Sequence, residues 1–519
     1  MHGESGQAFQ VTGDNCHVDP LRGTTVAWEG RILLPPGHET GSYLCNCYSE
    51  HGVGFAARLR GRFAIALHDP SANEVLLARD AGGTVPLYYA NAADGRLVFG
   101  SRIEEVLSRT GPASLNPAAL IDFLTFFWTL EGETFFRGVQ LLPAATVYRG
   151  GRLDNFFPFE HRPESRSEDA WCEAIVDTLR TVLREGTVPE AACHLSGGID
   201  SSLMVVMLTA LNKRAPQSFV AKFPKYEAYD ESPYAQMVAE SVGSELNRTV
   251  VEPSLFPHAL YELLKAIEEP KCHPPVFPRY LLEDAASKKG CVQMVTGRGA
   301  DELFTGYDSH LRASLDDHRK RRTQFDAELR GRVLRPEFIR AADYEPEAAY
   351  DALYDTCRGG TTLERVLALD ARTLLANWLV IDYKMGARFG IESVAPFMDR
   401  RVMDLALRIP IEVKCPDDRP KALLKRAAEP LLPHEVIHRK KVGFRTPMGE
   451  MFREGLEGFV REMLGPGDSS YWDVFEPAGV SALVEEHFAG TRNLGWQLWA
   501  LLCCRAWFDL YIDGKAARA

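Results

Sequence analysis

A glycine turn followed by hydroxyl and carboxyl side chains is the feature of this sequence that core packing does not explain. The stretch HLSGGIDSSLMVVML, residues 194–208, leaves a short apolar strand and then becomes apolar at helical spacing. Gly197 and Gly198 allow a sharp bend and a close approach of the backbone to a ligand. The helix expected from about Ser201 points its free N–H groups and its dipole at the same place, which favours an anion. The stretch therefore predicts a phosphate-binding loop.

The side chains of this loop indicate the phosphate chemistry. No lysine follows the glycines, so the pattern is S-G-G-x-D-S and not G-x-x-x-x-G-K-[ST]. The hydroxyls of Ser196, Ser201 and Ser202 can donate to phosphate oxygens, and an aspartate such as Asp200 beside phosphates usually holds Mg²⁺. The pattern resembles the diphosphate loop of ATP pyrophosphatases, which cleave ATP between the α and β phosphates. A strand–turn–helix corner with a chance match is the alternative.

Two later clusters extend this site. In VTGRGADELFTGY, residues 295–307, a strand again ends in a glycine turn followed by Asp301 and Glu302. An acidic pair after glycine is common at helix starts, but together with the first loop it predicts a second Mg²⁺ carboxylate facing the same phosphates. The basic run HRKKVGFRTP, residues 438–447, lies between an apolar segment and Gly-Phe and predicts an ordered lysine.

The elements that must position these residues change character along the chain. Residues 1–160 contain short apolar runs separated by turn residues, such as RFAIALHDP and RLVFGS, which predict a β-rich domain. From residue 170 an amphipathic helix ends at Gly186 and is followed by alternating short strands and helices, which predict a parallel sheet with helices on both faces. The last 150 residues look mostly helical. The predicted domains are therefore 1–160 and 170–519.

Composition excludes several classes of protein. The chain has 519 residues, 45% hydrophobic and 25% charged, as a globular protein of two domains would have. A net charge of −12 argues against nucleic-acid or membrane-surface binding. The sequence has no apolar run of about twenty residues and no secretory signal pattern. Its eleven cysteines lack CxxC spacing, which predicts reduced thiols in a cytoplasmic protein.

Residues 170–515 resemble the synthetase domain of glutamine-dependent asparagine synthetase and its relatives, the β-lactam and carbapenam synthetases. Eight blocks occur in the order of the family: LSGGIDSS, YDESPYAQMVAESVG, EEP, TGRGADELFTGY, GIESVAPFMDRRVMDLALRIP, KALLKRAA, LPHEVIHRKKVGF and LWALL. The N-terminal part resembles the glutaminase domain of the family. The resemblance implies an α/β fold: a β-rich, degenerate Ntn-hydrolase-like domain, then a parallel-sheet ATP-pyrophosphatase (HUP-like) domain with a helical C-terminal part.

The resemblance also implies the cofactors ATP and Mg²⁺ and a role for each site residue. The catalytic residue carried over is Lys441, which would stabilise charge in both reaction steps. Lys421 would assist with the phosphates. The metal ligands would be Asp200 and Asp301. The residues that would bind diphosphate or flank the adenylate are Leu195, Ser196, Gly197, Gly198, Ser201, Ser202, Val220, Ala221 and Gly297.

The N-terminal part departs from the family at its catalytic position. The glutaminase of the family uses a cysteine directly after the initiator Met, and here the second residue is His2. The first cysteine is Cys16, and WEGRILLPPG stands where a glutamine-binding asparagine is expected. We therefore expect this domain to keep its fold and to lack glutaminase activity.

A second departure lies in the turn between Gly297 and Gly299. Asparagine synthetases usually carry an acidic residue there, and β-lactam synthetases carry a tyrosine paired with a glutamate that deprotonates the amine. Here the residue is Arg298, and the matching helix position is Val380. A guanidinium cannot act as a base, so Arg298 suits anchoring of a carboxylate or phosphate. The candidates for the base that deprotonates the amine are the substrate itself, water and three side chains, which are Asp382, Tyr383 and Glu392.

Basic residues follow the EEP block in KCHPPVFPRY. Lys271, His273 and Arg279 could surround an anionic substrate together with Arg298, although surface charges are the alternative for Lys271 and Arg279.

These observations predict an ATP-dependent, AMP-forming synthetase that makes an amide or lactam bond through an acyl-adenylate. Its substrates would be a small-molecule carboxylate and an amine, independent of glutamine, in a specialised, antibiotic-type pathway. A lasso-peptide-type macrocyclase acting on a precursor peptide is one alternative. A non-catalytic nucleotide-binding subunit is another, against which Asp200, Asp301 and Lys441 argue. A homodimer is left open.

Overall fold

The computed structural model describes residues 1–4, 10–12, 15–310, 314–439, 443 and 445–515. Over these residues the strands form two antiparallel sheets, which end at residue 155, and one parallel sheet, which begins at residue 192. We call residues up to 155 the N-terminal β region and residues from 168 onward the C-terminal α/β region.

The N-terminal β region contains strands and helices in four layers. Its strands are β1 (His2–Glu4), β2 (Gln10–Thr12), β3 (Cys16–Val18), β4 (Thr25–Ile32), β5 (Gly61–Asp69), β6 (Glu74–Arg79), β7 (Tyr88–Asn91), β8 (Leu97–Gly100), β9 (Gln140–Leu141), β10 (Thr146–Arg149) and β11 (Arg152–Asn155). The sheet orders are β2-β1-β8-β7-β9 and β11-β10-β6-β5-β4-β3. Its helices are α1 (Thr40–His51), α2 (Ile103–Thr110) and α3 (Pro117–Phe126), with a 3₁₀ turn at Gly52–Arg58.

Strand β5 shows why this region packs as it does. Phe63 and Ile65 lie in a cluster with Leu44 of α1, whereas Ala64 and Ala66 lie in a cluster with residues of β7 and β8. Successive side chains of a strand point to opposite faces, so both faces of this strand are covered. The nearly continuous apolar run RFAIALHD follows from this double burial.

The parallel sheet contains β12 (Ala192–His194), β13 (Ser218–Lys222), β14 (Leu246–Val250), β15 (Gln293–Val295) and β16 (Glu392–Val394). Its order is β14-β13-β12-β15-β16. The chain leaves β12 to build β13 and β14 on one side, and later returns to build β15 and β16 on the other. Ligands of open α/β sheets bind at such a switch point, beyond the carboxyl ends of the strands. The switch point lies between β12 and β15, which carry the two glycine turns.

Helices cover both faces of this sheet. The first five are α4 (Glu168–Gly186), α5 (Ile199–Asn212), α6 (Ser232–Val242), α7 (Phe256–Ile267) and α8 (Val276–Lys288). The cluster of α4, α5 and α6 includes Cys193 and Val220 of the sheet, while the cluster of α7 and α8 includes the alternate residues Ala192 and Phe219. Burial on both faces is the reason why these strands read as short apolar runs.

The remainder of the chain is helical, apart from β16. Its helices are α9 (Ala300–Leu303), α10 (Leu315–Arg322), α11 (Ala327–Val333), α12 (Pro336–Ala342), α13 (Pro346–Thr356), α14 (Thr362–Asp370), α15 (Ala376–Arg388), α16 (Arg400–Arg408), α17 (Ile411–Lys414), α18 (Ala422–Ala428), α19 (His434–His438), α20 (Met448–Met451), α21 (Glu457–Met463), α22 (Pro477–Phe488) and α23 (Gly495–Trp507). Segments Ala371–Leu375, Phe452–Leu456 and Phe508–Ile512 are π-helical. Within the described ranges, none of the helices is long and apolar enough to cross a membrane.

The predicted α/β fold class is confirmed, with a β-rich N-terminal region and a parallel sheet with helices after it. One local boundary differs from the prediction. Helix α5 begins at Ile199, before the predicted start near Ser201, because Gly198 in extended conformation is its N-cap. The domain limits 1–160 and 170–519 stay a prediction; residues 156–167 between the last strand of the first region and α4 contain neither helix nor strand.

Candidate active site

The loop after β12 is shaped by its glycines and hydroxyls. Gly197 has a φ of +71°, and a Cβ there would lie 2.6 Å from the backbone nitrogen of Ala235, so helix α6 packs directly on the loop. The Ser201 hydroxyl accepts from the backbone N–H of Ser196 at 3.2 Å and lies 3.1 Å from the oxygen of Gly198. Ser196 and Ser201 line a cleft beyond the sheet. Ser202, which was predicted to bind diphosphate, is fully buried behind the loop.

The two predicted metal carboxylates lie side by side. Asp200 is in the first turn of α5 and Asp301 in the first turn of α9. Nζ of Lys421 lies 2.5 Å from Oδ2 of Asp200 and 2.7 Å from Oδ1 of Asp301. Burial alone would lower the pKa of Lys421, but the two carboxylates outweigh burial and raise it above its ordinary value. Lys421, predicted to assist with phosphates, therefore bridges the two acids in this structure.

Close packing of the two glycine turns brings these acids together. A Cβ on Gly297 would lie 2.6 Å from Cβ of Asp200, so only a residue without a side chain fits there. Paired carboxylates are hard oxygen ligands of the kind that Mg²⁺ prefers. Asp200 and Asp301 therefore fit the predicted metal.

Beside the phosphate loop, the cleft has an apolar wall. Of the residues predicted to flank the adenylate, Leu195, Val220, Ala221 and Gly297 all line the cleft, and Phe219 and Leu282 join them. Strand β13 supplies Phe219, Val220 and Ala221, and a mostly apolar lining of this kind is typical of small-molecule sites.

Arg298 also lines the cleft and is held by an acid and an aromatic ring. Its Nε donates to Oδ2 of Asp382 at 3.1 Å, and its guanidinium lies 4.4 Å from the ring centroid of Trp378. Nε of Arg279 lies 3.1 Å from the other carboxylate oxygen of Asp382. Burial lowers the pKa of Arg298, but Asp382 outweighs burial and the net pKa is raised. Two guanidinium groups thus share one buried carboxylate.

This arrangement corrects one expectation about α15 and shows where the three candidate bases lie. The helix residue that faces Arg298 is Asp382, two positions beyond the predicted Val380, which is buried in the core. Of the three candidate bases, Asp382 is engaged by both arginines. Tyr383 instead donates to Glu29, and Glu392 accepts from Arg62, so both face the N-terminal β region.

The expected ring of four cations is also wrong in part. Arg279 and Arg298 line the cleft, but Lys271 is buried elsewhere and the half-buried His273 is not among the residues that line it. Nζ of Lys271 lies 3.0 Å from Oε2 of Glu269, in a separate cavity against the N-terminal β region. The His273 ring is stacked against Trp378 at 5.4 Å, and burial lowers its pKa to about 3. These residues lie close to Arg279 in the sequence, but their side chains point in different directions, which sequence proximity alone did not indicate.

Sequence reasoning missed three polar pairs around the cleft. Arg439 donates to Glu231 at 2.6 Å, Nε2 of His194 lies 3.3 Å from Oε1 of Glu283, and Tyr307 donates to Glu302 at 2.8 Å. The sequence signal for Arg439 is its place in the basic run, two residues before Lys441. The His194–Glu283 pair joins β12 to α8, and both Tyr307 and Glu302 follow the second glycine turn.

The sequence also singled out Lys441 and two residues near the N-terminus. Lys441 lies outside the described residues, although Arg439 and Gly443 on either side of it line the cleft. His2 is part of β1, which pairs with β8. Cys16 is exposed on β3, at the edge of its sheet.

Comparisons with known proteins agree with this geometry. The asparagine synthase family matches residues 173–509, and the glutamine amidotransferase domain matches residues 40–155. The chain is similar to a putative glutamine-hydrolyzing asparagine synthetase of Mycobacterium tuberculosis, with 26% identity over 530 residues that cover 90% of this chain and 79% of the relative. It is 23% identical to asparagine synthetase 1 of Bacillus subtilis over 517 residues, 90% of this chain and 80% of the relative. It is also 29% identical to amidase chyE of Penicillium rubens over 294 residues, 52% of this chain and 43% of that protein.

The first match spans well over half of the chain and contains the phosphate loop, both aspartates and the three arginines that line the cleft. The chain therefore belongs to the asparagine synthase family, whose members are ATP-dependent ligases that form C–N bonds and release AMP and diphosphate.

Proposed function

We propose that this chain is a glutamine-independent synthetase that activates a small-molecule carboxylate as an acyl-adenylate and joins it to an amine in a specialised biosynthetic pathway. The observation that carries the proposal is that the same cleft is lined by the phosphate loop with Asp200 and Asp301 and by Arg279 and Arg298. ATP would lie in this cleft against the apolar wall formed by Leu195, Val220 and Ala221.

The phosphate side would hold the leaving group of the first step. Backbone N–H groups of Gly197 and Gly198, the hydroxyls of Ser196 and Ser201 and the N-terminus of α5 are donors for diphosphate. Asp200 and Asp301 would hold Mg²⁺, which when bound neutralises phosphate charge. Lys421 already lies between these acids, so it is placed to turn towards a phosphate oxygen while keeping one acid as its partner.

The chemistry then needs two displacements. A carboxylate oxygen of the acid attacks the α phosphorus, the bond to the bridging oxygen breaks, and diphosphate leaves. The amine nitrogen next attacks the acyl carbon, the acyl–oxygen bond breaks, and AMP leaves with the electron pair. Lys441, by its place in the family pattern, would stabilise the negative charge that develops in both steps, an effect typically worth a few kcal/mol.

Arg279 and Arg298 would select the acid. The two guanidinium groups share one carboxylate, and a second anionic group of the substrate could accept hydrogen bonds from their remaining N–H groups. Nη2 of Arg279 is buried and, among the described residues, has no hydrogen-bond partner. Asp382 then acts as the group that holds both arginines in place, so the proton of the amine must leave to another acceptor.

The N-terminal β region would contribute structure rather than ammonia. His2 stands where the family places its nucleophilic cysteine, and a His side chain there cannot form the thioester on which glutamine hydrolysis depends. All eleven cysteines are unpaired and nine of them are buried, which suits the reducing cytoplasm.

Exchange of labelled diphosphate into ATP, screened over candidate acids, tests this proposal. We expect exchange that depends on the acid, without glutamine. Asp200→Asn should lower the rate by about a hundredfold, as loss of several kcal/mol of charge stabilisation would. The matched control is Asp177→Asn, on the exposed face of α4. Acid-dependent formation of ADP and phosphate would contradict the proposal, and exchange only with a precursor peptide would make the chain a macrocyclase.

A further inference from the structure

Arg439 is a cleft residue that none of the sequence patterns assigned. It follows α19, and its side chain is 8% exposed and lines the cleft. Its Nη2 donates to Oε1 of Glu231 at 2.6 Å, and its guanidinium lies 4.4 Å from the ring centroid of Tyr234. The acid and the ring hold the guanidinium plane in a fixed position.

That position is directly above the phosphate loop. Nη2 of Arg439 lies 3.9 Å from where a Cβ on Gly198 would be. Tyr234, on which the guanidinium stacks, packs with its own Cβ against Gly197. Arg439, Tyr234 and the two glycines therefore form one packed unit, and a ligand in the loop would meet the guanidinium.

One face of this guanidinium is without an acceptor. Nη1 of Arg439 is buried and, within the described part of the chain, makes no hydrogen bond. A buried N–H donor without a partner is unfavourable, and a purely structural ion pair with Glu231 would not require it. An oxygen atom of a ligand in the loop would satisfy it.

We propose that Arg439 binds the terminal phosphates of ATP and the released diphosphate, with Glu231 as its positioning residue. This inference rests on the proposed function. A guanidinium presents a planar fork that matches two phosphate oxygens. Lys421, a point charge, approaches the loop from the side of Asp200, whereas Arg439 approaches it from Gly198. The two cations would clasp the diphosphate from opposite sides and leave the α phosphate to other groups.

Equilibrium binding of three ligands distinguishes contact with the terminal phosphates from a general effect on nucleotide binding. Calorimetric titration with Mg-diphosphate, Mg-ATP and AMP should show that Arg439→Gln weakens the first two by about ten- to a hundredfold, the range for a lost charge-assisted bond. AMP lacks the terminal phosphates, so its affinity should change less than about twofold. Arg439→Lys keeps the charge without the fork and should recover part of the loss. The matched control is Arg445→Gln, an exposed residue of the same segment.

Glu231→Gln tests the positioning role. Because the guanidinium keeps its charge but loses its fixed position, the KM for diphosphate in the exchange reaction should rise more than kcat falls, with the melting temperature nearly unchanged. An equal loss of AMP and diphosphate affinity in Arg439→Gln, or no loss of diphosphate affinity, would overturn the assignment. Failure of the unmodified chain to bind ATP at all would instead overturn the proposed function, and this assignment with it.

Discussion

Oδ2 of Asp382 accepts a hydrogen bond from Nε of Arg298 at 3.1 Å, and this partly buried pair links helix α15 to the glycine turn after β15. The side chain of Asp382 is 2% exposed and has Arg279 on its other oxygen. In this chain the turn position is therefore basic and its helix partner acidic. The pair explains why neither residue is available as a base.

Removal of the Asp382 charge should destabilise the fold. Asp382→Asn removes the carboxylate that the buried Arg279 and the half-buried Arg298 share, and loss of one partner from a buried pair typically costs about 3–5 kcal/mol. Chemical denaturation would measure the change in the free energy of unfolding. The surface pair Arg162–Asp404, at 2.8 Å, provides the control, because Asp404→Asn should cost less than about 1 kcal/mol. Similar losses for both variants would contradict the assigned role.

The Arg298 side chain should act on acid binding more than on turnover. Arg298→Lys keeps the charge and loses the bidentate fork, so the KM for the acid should rise sharply while kcat changes less. Steady-state kinetics with the best acid from the exchange screen would measure both. A fall in kcat with an unchanged KM would indicate that Arg298 stabilises the transition state instead. Asparagine formation from aspartate and ammonia at a comparable rate would contradict the idea that Arg298 marks a different substrate.

Glu283 should make the stability depend on pH. Burial raises its pKa to about 7 from an ordinary value of 4.5. Between these pH values the folded chain keeps a proton on Glu283 that the unfolded chain has released. The free energy of unfolding therefore falls as pH rises from about 4.5 to about 7. The full effect is roughly 3 kcal/mol at most. The free energy of unfolding of Glu283→Gln, taken relative to that of the unmodified chain, should therefore be higher at pH 8 than at pH 5. A difference that is the same at both pH values would contradict the burial argument.

Glutamine should not be a substrate. Because His2 stands at the position of the nucleophilic cysteine, incubation of the purified chain with glutamine should release no glutamate above background. Asparagine synthetase 1 of Bacillus subtilis, whose name describes it as glutamine-hydrolyzing, is the positive control. Glutamate release by this chain in a preparation free of other glutaminases would show that the N-terminal β region is active.

The sequence predicted those parts of the site that are local in the chain. The turn at Gly197, the acid Asp200 and the second acid Asp301 each follow a strand within a few residues. Because parallel strands end at the same edge of a sheet, the convergence of these residues could be expected from the sequence alone.

Pairs between distant segments could not be predicted in the same way. The carboxylate that meets Arg279 and Arg298 comes from α15, and the choice of Asp382 over Val380 depends on how that helix is rotated against the sheet. Lys271 and Arg279 lie close in sequence, yet one is directed into a separate cavity and the other into the cleft. The position of the Arg439 guanidinium depends on its contacts with Glu231 and Tyr234, and therefore on how the start of α6 packs on the phosphate loop. These outcomes are set by tertiary packing, which no local pattern encodes.

The transfer of oxygen from acid to nucleotide tests the central claim most directly. If the acid is activated as an acyl-adenylate, its carboxylate oxygen forms the bond to the α phosphorus and stays there when the amine displaces AMP. Turnover with an acid labelled with oxygen-18 in its carboxyl group should therefore give AMP that carries one labelled oxygen in its phosphate, detected by mass spectrometry. Unlabelled AMP, or label in inorganic phosphate released together with ADP, would contradict the account.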